Sequence, residues 1–144
     1  MSTNEAAALA RLHGARRFLV EGLPESGPWL AHPRRVVELV HLAARDLPSE
    51  ALADAQALAW TCDLLAETAI GVPALTAGLG RNRSALARMA SRSVRGVEKT
   101  TKSPEVYWRV VARGPASVRV AAVCALVARL EEAARWPSQV DLTA

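Results

Sequence analysis

Val118, Val120, Ala121, Ala122, Val123, Cys124, Ala125, Leu126, Val127 and Ala128 form a stretch that only Arg119 interrupts with a charge. On a 3.6-residue period the stretch is apolar around its whole circumference, and a helix of that kind belongs at the centre of a bundle. Gly114-Pro115 stands just before it. Glycine ends the preceding segment, and proline restarts the chain at a first helical position, where its missing N–H costs nothing. The preceding segment opens in a similar way, with Ser103 as an N-cap and Pro104 as a first-turn proline, so a helix is expected from there to Gly114. The fold that follows is all-α, a single bundle of about six helices with its last helix buried.

Upstream, Ala8, Leu9, Leu12, Ala15, Phe18 and Leu19 recur at helical spacing and predict a helix over 5–20, ended by Gly22 and Pro24. A Gly- and Pro-rich loop over 22–31 leads to His32-Pro33, the expected start of a second helix with Val36, Val37, Leu39, Val40 and Leu42 on its apolar face. Residues 46–49 break it, and a long third helix is expected over 50–70. Gly71, Pro73, Gly78 and Gly80 mark a turn region with one short helical turn between Pro73 and Ala77. A fourth helix is expected over 84–97. There is no internal repeat and no linker long enough to separate domains, so residues 1–144 read as one domain, with 1–4 and 138–144 as flexible ends.

The composition agrees. In 144 residues the hydrophobic fraction is 51% and the aromatic fraction 4%, and about a fifth of the residues are alanine. Such a core is built from small and aliphatic side chains, and Ala, Leu and Arg stand high on the helix scale. A chain of this size buries roughly two-thirds of its unfolded surface, so it needs neither disulfides nor a structural metal to fold. Cys62 and Cys124 lie in apolar helical runs, which favours reduced, buried thiols over a secreted bridge. Residues 1–5 lack a basic start and an apolar core, and no apolar stretch reaches the roughly 18 residues of a bilayer span. The expectation is a cytoplasmic protein with no membrane partner.

Four stretches, in order, carry a resemblance. His13-Gly14-Ala15-Arg16 looks like an H-x-G-Q-x-R region. Pro28-Trp29-Leu30-Ala31-His32-Pro33 is similar to P-Y-I-x-H-P, with Trp for Tyr. Ala59-Trp60-Thr61-Cys62-Asp63-Leu64-Leu65-Ala66-Glu67-Thr68 is similar to A-x-L-H-D-V-V-E-D-T. Tyr107 through Pro115 to Val118-Arg119-Val120-Ala121-Ala122 follows the spacing of Y-x₇-P-x-A-x-x-V-K-L-A-D. Together they resemble the HD-domain phosphohydrolases, and within them the RelA/SpoT-type module and its small alarmone-hydrolase relatives.

The resemblance implies a divalent metal, Mn or Zn, held by the histidine of the HP motif, the adjacent His-Asp pair and the last aspartate, where it would activate water and polarise a phosphate. Carried onto this chain, His32 and Asp63 keep ligand types, the HD histidine is Cys62, and the last aspartate is Ala122. The E-D carboxylate pair reads Ala66-Glu67, leaving Glu67 with Asp63 as the residual catalytic candidates. A thiolate can bind zinc, but a methyl group offers no donor, and loss of a supporting partner alone costs metal sites about 10–100-fold. What the resemblance implies here is a degenerate hydrolase that holds no metal and acts by binding a phosphorylated nucleotide, another small molecule or a protein. An alternative is a metal-dependent nucleotide phosphohydrolase with an unusual ligand set. A third is a small-molecule enzyme or binding protein that reuses an apolar pocket lined by Trp29, Trp60, Cys62, Ala66 and Ala122.

Plainer readings stand beside these. Asp63 and Glu67 also read as an exposed i, i+4 pair, His32 as a helix-start histidine capping a neighbour, His41 as a surface or packing residue, and the two indoles as core. Independently of the resemblance, Arg88, Arg92, Arg95, Lys99 and Lys102 recur at spacings of four, three, four and three, with Arg81 and Arg83 ahead of them. If the helix runs that far, they form a cationic face that, with Arg16 and Arg17, suits phosphate or an acidic partner. A solvated helix face is the alternative. No aromatics interleave with the cations, which argues against a nucleic-acid platform.

Overall fold

The computed structural model describes residues 31–61, 72–91 and 102–135. Among these are six helices and no strand: α1 (Ala31–Ala43), α2 (Ser49–Thr61), α3 (Val72–Leu79), α4 (Arg81–Ala90), α5 (Pro104–Arg113) and α6 (Ala116–Arg135). The fold is an all-α bundle. The helix expected over 5–20 lies outside the described residues. None of the helices described is long and apolar enough to cross a membrane.

Local chemistry sets most boundaries. The Ser103 hydroxyl accepts from the Val106 N–H at 3.3 Å and caps α5, with Pro104 in its first turn. At the other end the Gly114 N–H donates to the Val111 carbonyl. A Cβ on Gly114 would meet Met89 Cε at 3.0 Å and Val118 Cγ1 at 3.2 Å, so this glycine lets α4, α5 and α6 meet closely. Between α3 and α4, Gly80 takes φ +89° and ψ 163°, a region that belongs to glycine. Where one helical turn was expected near Pro73, the chain forms the full helix α3, because its proline sits in the first turn, whose N–H groups have no helical partner.

The fourth helix differs from expectation at both ends. It starts at Arg81 and stops at Ala90, where Ser91 becomes extended (φ −98°, ψ 137°). The Ser91 hydroxyl donates to the Ala87 carbonyl at 2.7 Å, offering the backbone an alternative to continuing the helix. Lys102 then closes the end, its Nζ donating to the carbonyls of Arg88 and Ser91, each at 2.9 Å.

Helices α1, α2 and α6 pack mutually; α4 rests on α2 and α6, α3 on α4, and α5 on α4 and α6. Two apolar clusters result. Val36, Val40 and Ala44 meet Ala55 and Ala59 of α2 and Cys124, Ala125 and Ala128 of α6. On the other side Leu58 and Trp60 gather with Leu75, Leu79, Ala87, Ala90, Tyr107, Val111, Val118, Ala121 and Ala122. The last helix is central, as expected, but on one face only: Val123, Val127 and Leu130 are exposed.

Candidate functional site

His32 stands in the first turn of α1, and its ring is mostly covered. Its Nδ1 lies 2.8 Å from Oε1 of Glu132 on α6. An ionised carboxylate only accepts, so Nδ1 carries the proton and donates. One turn along, Arg35 places Nε 2.8 Å from Glu131 Oε2 and Nη2 3.0 Å from Glu131 Oε1, a two-pronged pairing, while its Nη1 donates to Glu38 at 2.9 Å. The hydrogen bonds from Arg35, and then its charge, hold the Glu131 carboxyl below the usual carboxylate range. The start of α1 is therefore clamped to the last turns of α6, and the two helices run antiparallel.

This clamp was missed in the sequence, although a signal was there. Arg34 and Arg35 put cations at a helix N-terminus, and Glu131-Glu132 put anions near a helix C-terminus, each the wrong sign for its macrodipole. Two ends so mismatched are relieved by facing one another.

Of the pocket expected from the resemblance, the described residues include His32, Trp60 and Ala122. Trp60 and Ala122 belong to one apolar cluster, buried with Leu58 and Tyr107. Ala122 is 3% exposed. His32 is elsewhere: Glu132, which holds it, lies ten residues beyond Ala122, roughly 15 Å along the helix. The structure thus brings Trp60 to the neighbourhood of Ala122 but does not bring His32 there. Trp29, Cys62, Asp63, Ala66 and Glu67 lie outside the described residues, as do Arg16, Arg17, Arg92, Arg95 and Lys99. His41 is exposed on α1.

A divalent metal does not fit the described part of this arrangement. His32 already gives Nδ1 to a carboxylate, Ala122 presents a methyl group to an apolar core, and no cluster of three or more metal-ligating side chains occurs among the described residues.

The cationic face is also redistributed. Because α4 ends at Ala90, Arg88 and Lys102 do not share one continuous helix, and the Lys102 ammonium closes the α4 C-terminus. Arg83 reaches back to Asp54 of α2 at 3.2 Å and to the Leu79 carbonyl at 3.3 Å. With Arg81, Asn82, Gly80, Leu79 and Glu50 it lines an open depression of about 380 Å³. That depression lies beside the start of α2, at the opposite end of the helix from Trp60. The burial of Cys124 between α1 and α6 pushes its thiol up, away from the reactive thiolate.

No family model matches the chain, and no curated protein matches it.

Proposed function

We propose that this chain is a binding domain on a helical scaffold resembling the HD-type hydrolases, with the metal chemistry of that family lost and the recognition of a phosphorylated nucleotide kept. The observation that carries this reading is Ala122. At the position where the resemblance calls for a metal-binding carboxylate, a methyl group is packed among Leu58, Trp60, Tyr107 and Val118. An ionised carboxylate buried there without a partner would be strongly disfavoured. His32, held by Glu132 about 15 Å along α6 from Ala122, has instead a task in holding two helices together.

The test joins two measurements on purified protein: metal content, and turnover of ppGpp with added manganese. The expected result is substoichiometric metal and no turnover, with saturable nucleotide binding by calorimetry. Stoichiometric metal with robust hydrolysis that Asp63→Ala abolishes would establish the enzyme instead. Quenching of tryptophan fluorescence by an apolar small molecule, with no response to nucleotides, would show that the site has been turned to a different ligand.

A further inference from the structure

Helix α6 has a face that the described helices leave largely uncovered. Val123, Val127 and Leu130 are 51%, 38% and 50% exposed. They are not scattered. Ala116, Val120, Val123, Val127, Leu130 and Ala134 follow one another at spacings of four, three, four, three and four, which are the a and d positions of a seven-residue repeat; Val123, Val127, Leu130 and Ala134 are exposed, while Ala116 is half-buried and Val120 packs partly on the α1 cluster. No charged residue falls on this seam.

The series is also complementary to itself. A second copy of α6 can be laid antiparallel about a two-fold axis at the level of Ala125. Ala116 then meets Ala134, Val120 meets Leu130 and Val123 meets Val127, so every a position faces a d position. A two-fold interface requires that if one residue meets another, the second meets the first in return, and this series does so at each step. The flanks are compatible as well. On the outer flank Arg119 comes opposite Ala133 and Leu126 opposite its own copy, so no like charges are forced together there, while the inner flank, with Ser117 and Cys124, is buried within the bundle.

We propose that the chain pairs with a second copy of itself through this face of α6, with the two helices antiparallel. The size of the face sets the strength. An apolar patch of this kind covers on the order of 300–600 Å² per copy. Two such patches bury about 600–1,200 Å², at or below the lower end for a specific interface. The dimer is accordingly a weak, reversible one.

Sedimentation velocity of the full chain over a concentration series tests the pairing. The expected result is a monomer–dimer equilibrium that Val127→Glu weakens at least about tenfold, because the new carboxylate must be buried against Val123 of the second copy. Leu130→Lys does the same from the neighbouring layer, and circular dichroism checks that both variants keep the wild-type helicity. A wild type that stays monomeric up to a concentration of about 1 mM overturns the proposal, whether the face is covered by another part of the chain or by a different protein. So does a dimer that both substitutions leave intact. The register has its own test: Val123→Cys mixed with Val127→Cys should cross-link under mild oxidation beyond the wild-type background, and neither should do so alone. Self-cross-linking of Val123→Cys to the same extent would mean parallel helices and would reject the antiparallel seam.

Discussion

The two apolar clusters on either side of α2 are built by different rules. On the α1 side the buried contacts are made by Val36, Val40, Ala44, Ala55, Ala59, Cys124, Ala125 and Ala128, none larger than valine, with Leu39, Leu47 and Leu52 packed only at the edge. Across α2, the α3–α4–α5 side is filled by Leu58, Trp60, Leu75, Leu79 and Tyr107, with alanines between them. Small side chains let helix axes approach closely and leave no room to grow. Large ones span the wider gaps among short helices and leave holes when they are cut back. The same chain is therefore sensitive to opposite errors in its two halves.

The largest effect should come from cutting back the second cluster. Leu58→Ala is expected to lower stability by about 2–5 kcal/mol, read from urea denaturation. Leu58→Met, which nearly conserves volume, should cost less than about 1.5 kcal/mol. In the α1 cluster the sensitive change is enlargement: Ala128→Leu is expected to cost about 1–3 kcal/mol by overpacking against α1. If Ala128→Leu were neutral, the contrast between the two sides would fail. Tyr107→Phe should come next. It removes the hydroxyl that donates to the Ala90 carbonyl at 2.9 Å and leaves that acceptor without this donor, for a loss of about 1 kcal/mol.

The smallest effect belongs to the clamp. Glu131 titrates below its ordinary value of 4.5 in the folded chain. The stability it contributes is fully present above that ordinary value and is lost as pH falls through the lower folded one. Chemical denaturation repeated from neutral to acid pH should show a loss that Glu131→Gln reduces, while a Leu58 variant keeps the pH dependence of the wild type.

Much of this architecture could be read from single residues because the deciding interactions are local. Ser103-Pro104 and Gly114-Pro115 placed the start and end of α5 by capping and by proline's missing N–H, and the structure follows them. The end of α4 was not legible. The cationic spacing from Arg88 to Lys102 suits a continued helix, and only the hydroxyl bond of Ser91 to Ala87 together with the return of Lys102 shows why the helix stops. The clamp was hidden for a different reason, since the partners of His32 and Arg35 lie 100 and 96 residues away. The exposed seam of α6 was masked by its own composition, because alanine and valine suit an interior helix and an interface equally well. For the expected pocket, the sequence supplied residue types in order, and order does not say which side chains share a cavity. His32 and Ala122 show this: the histidine is held by Glu132, ten residues along α6 from the alanine.

The pairing of the first described helix with the last has a consequence for how the protein is made. Until Glu131 and Glu132 have been added, α1 carries cations at an end that repels them and has no anionic surface to settle against. At about 5–20 residues per second, that interval is roughly 5–20 s after His32 is joined to the chain. During translation, then, α1 has α2 to settle against but not α6, and the side of Val36 and Val40 that meets Cys124, Ala125 and Ala128 is open to chaperones and to other nascent chains for as long as the ribosome takes to reach α6.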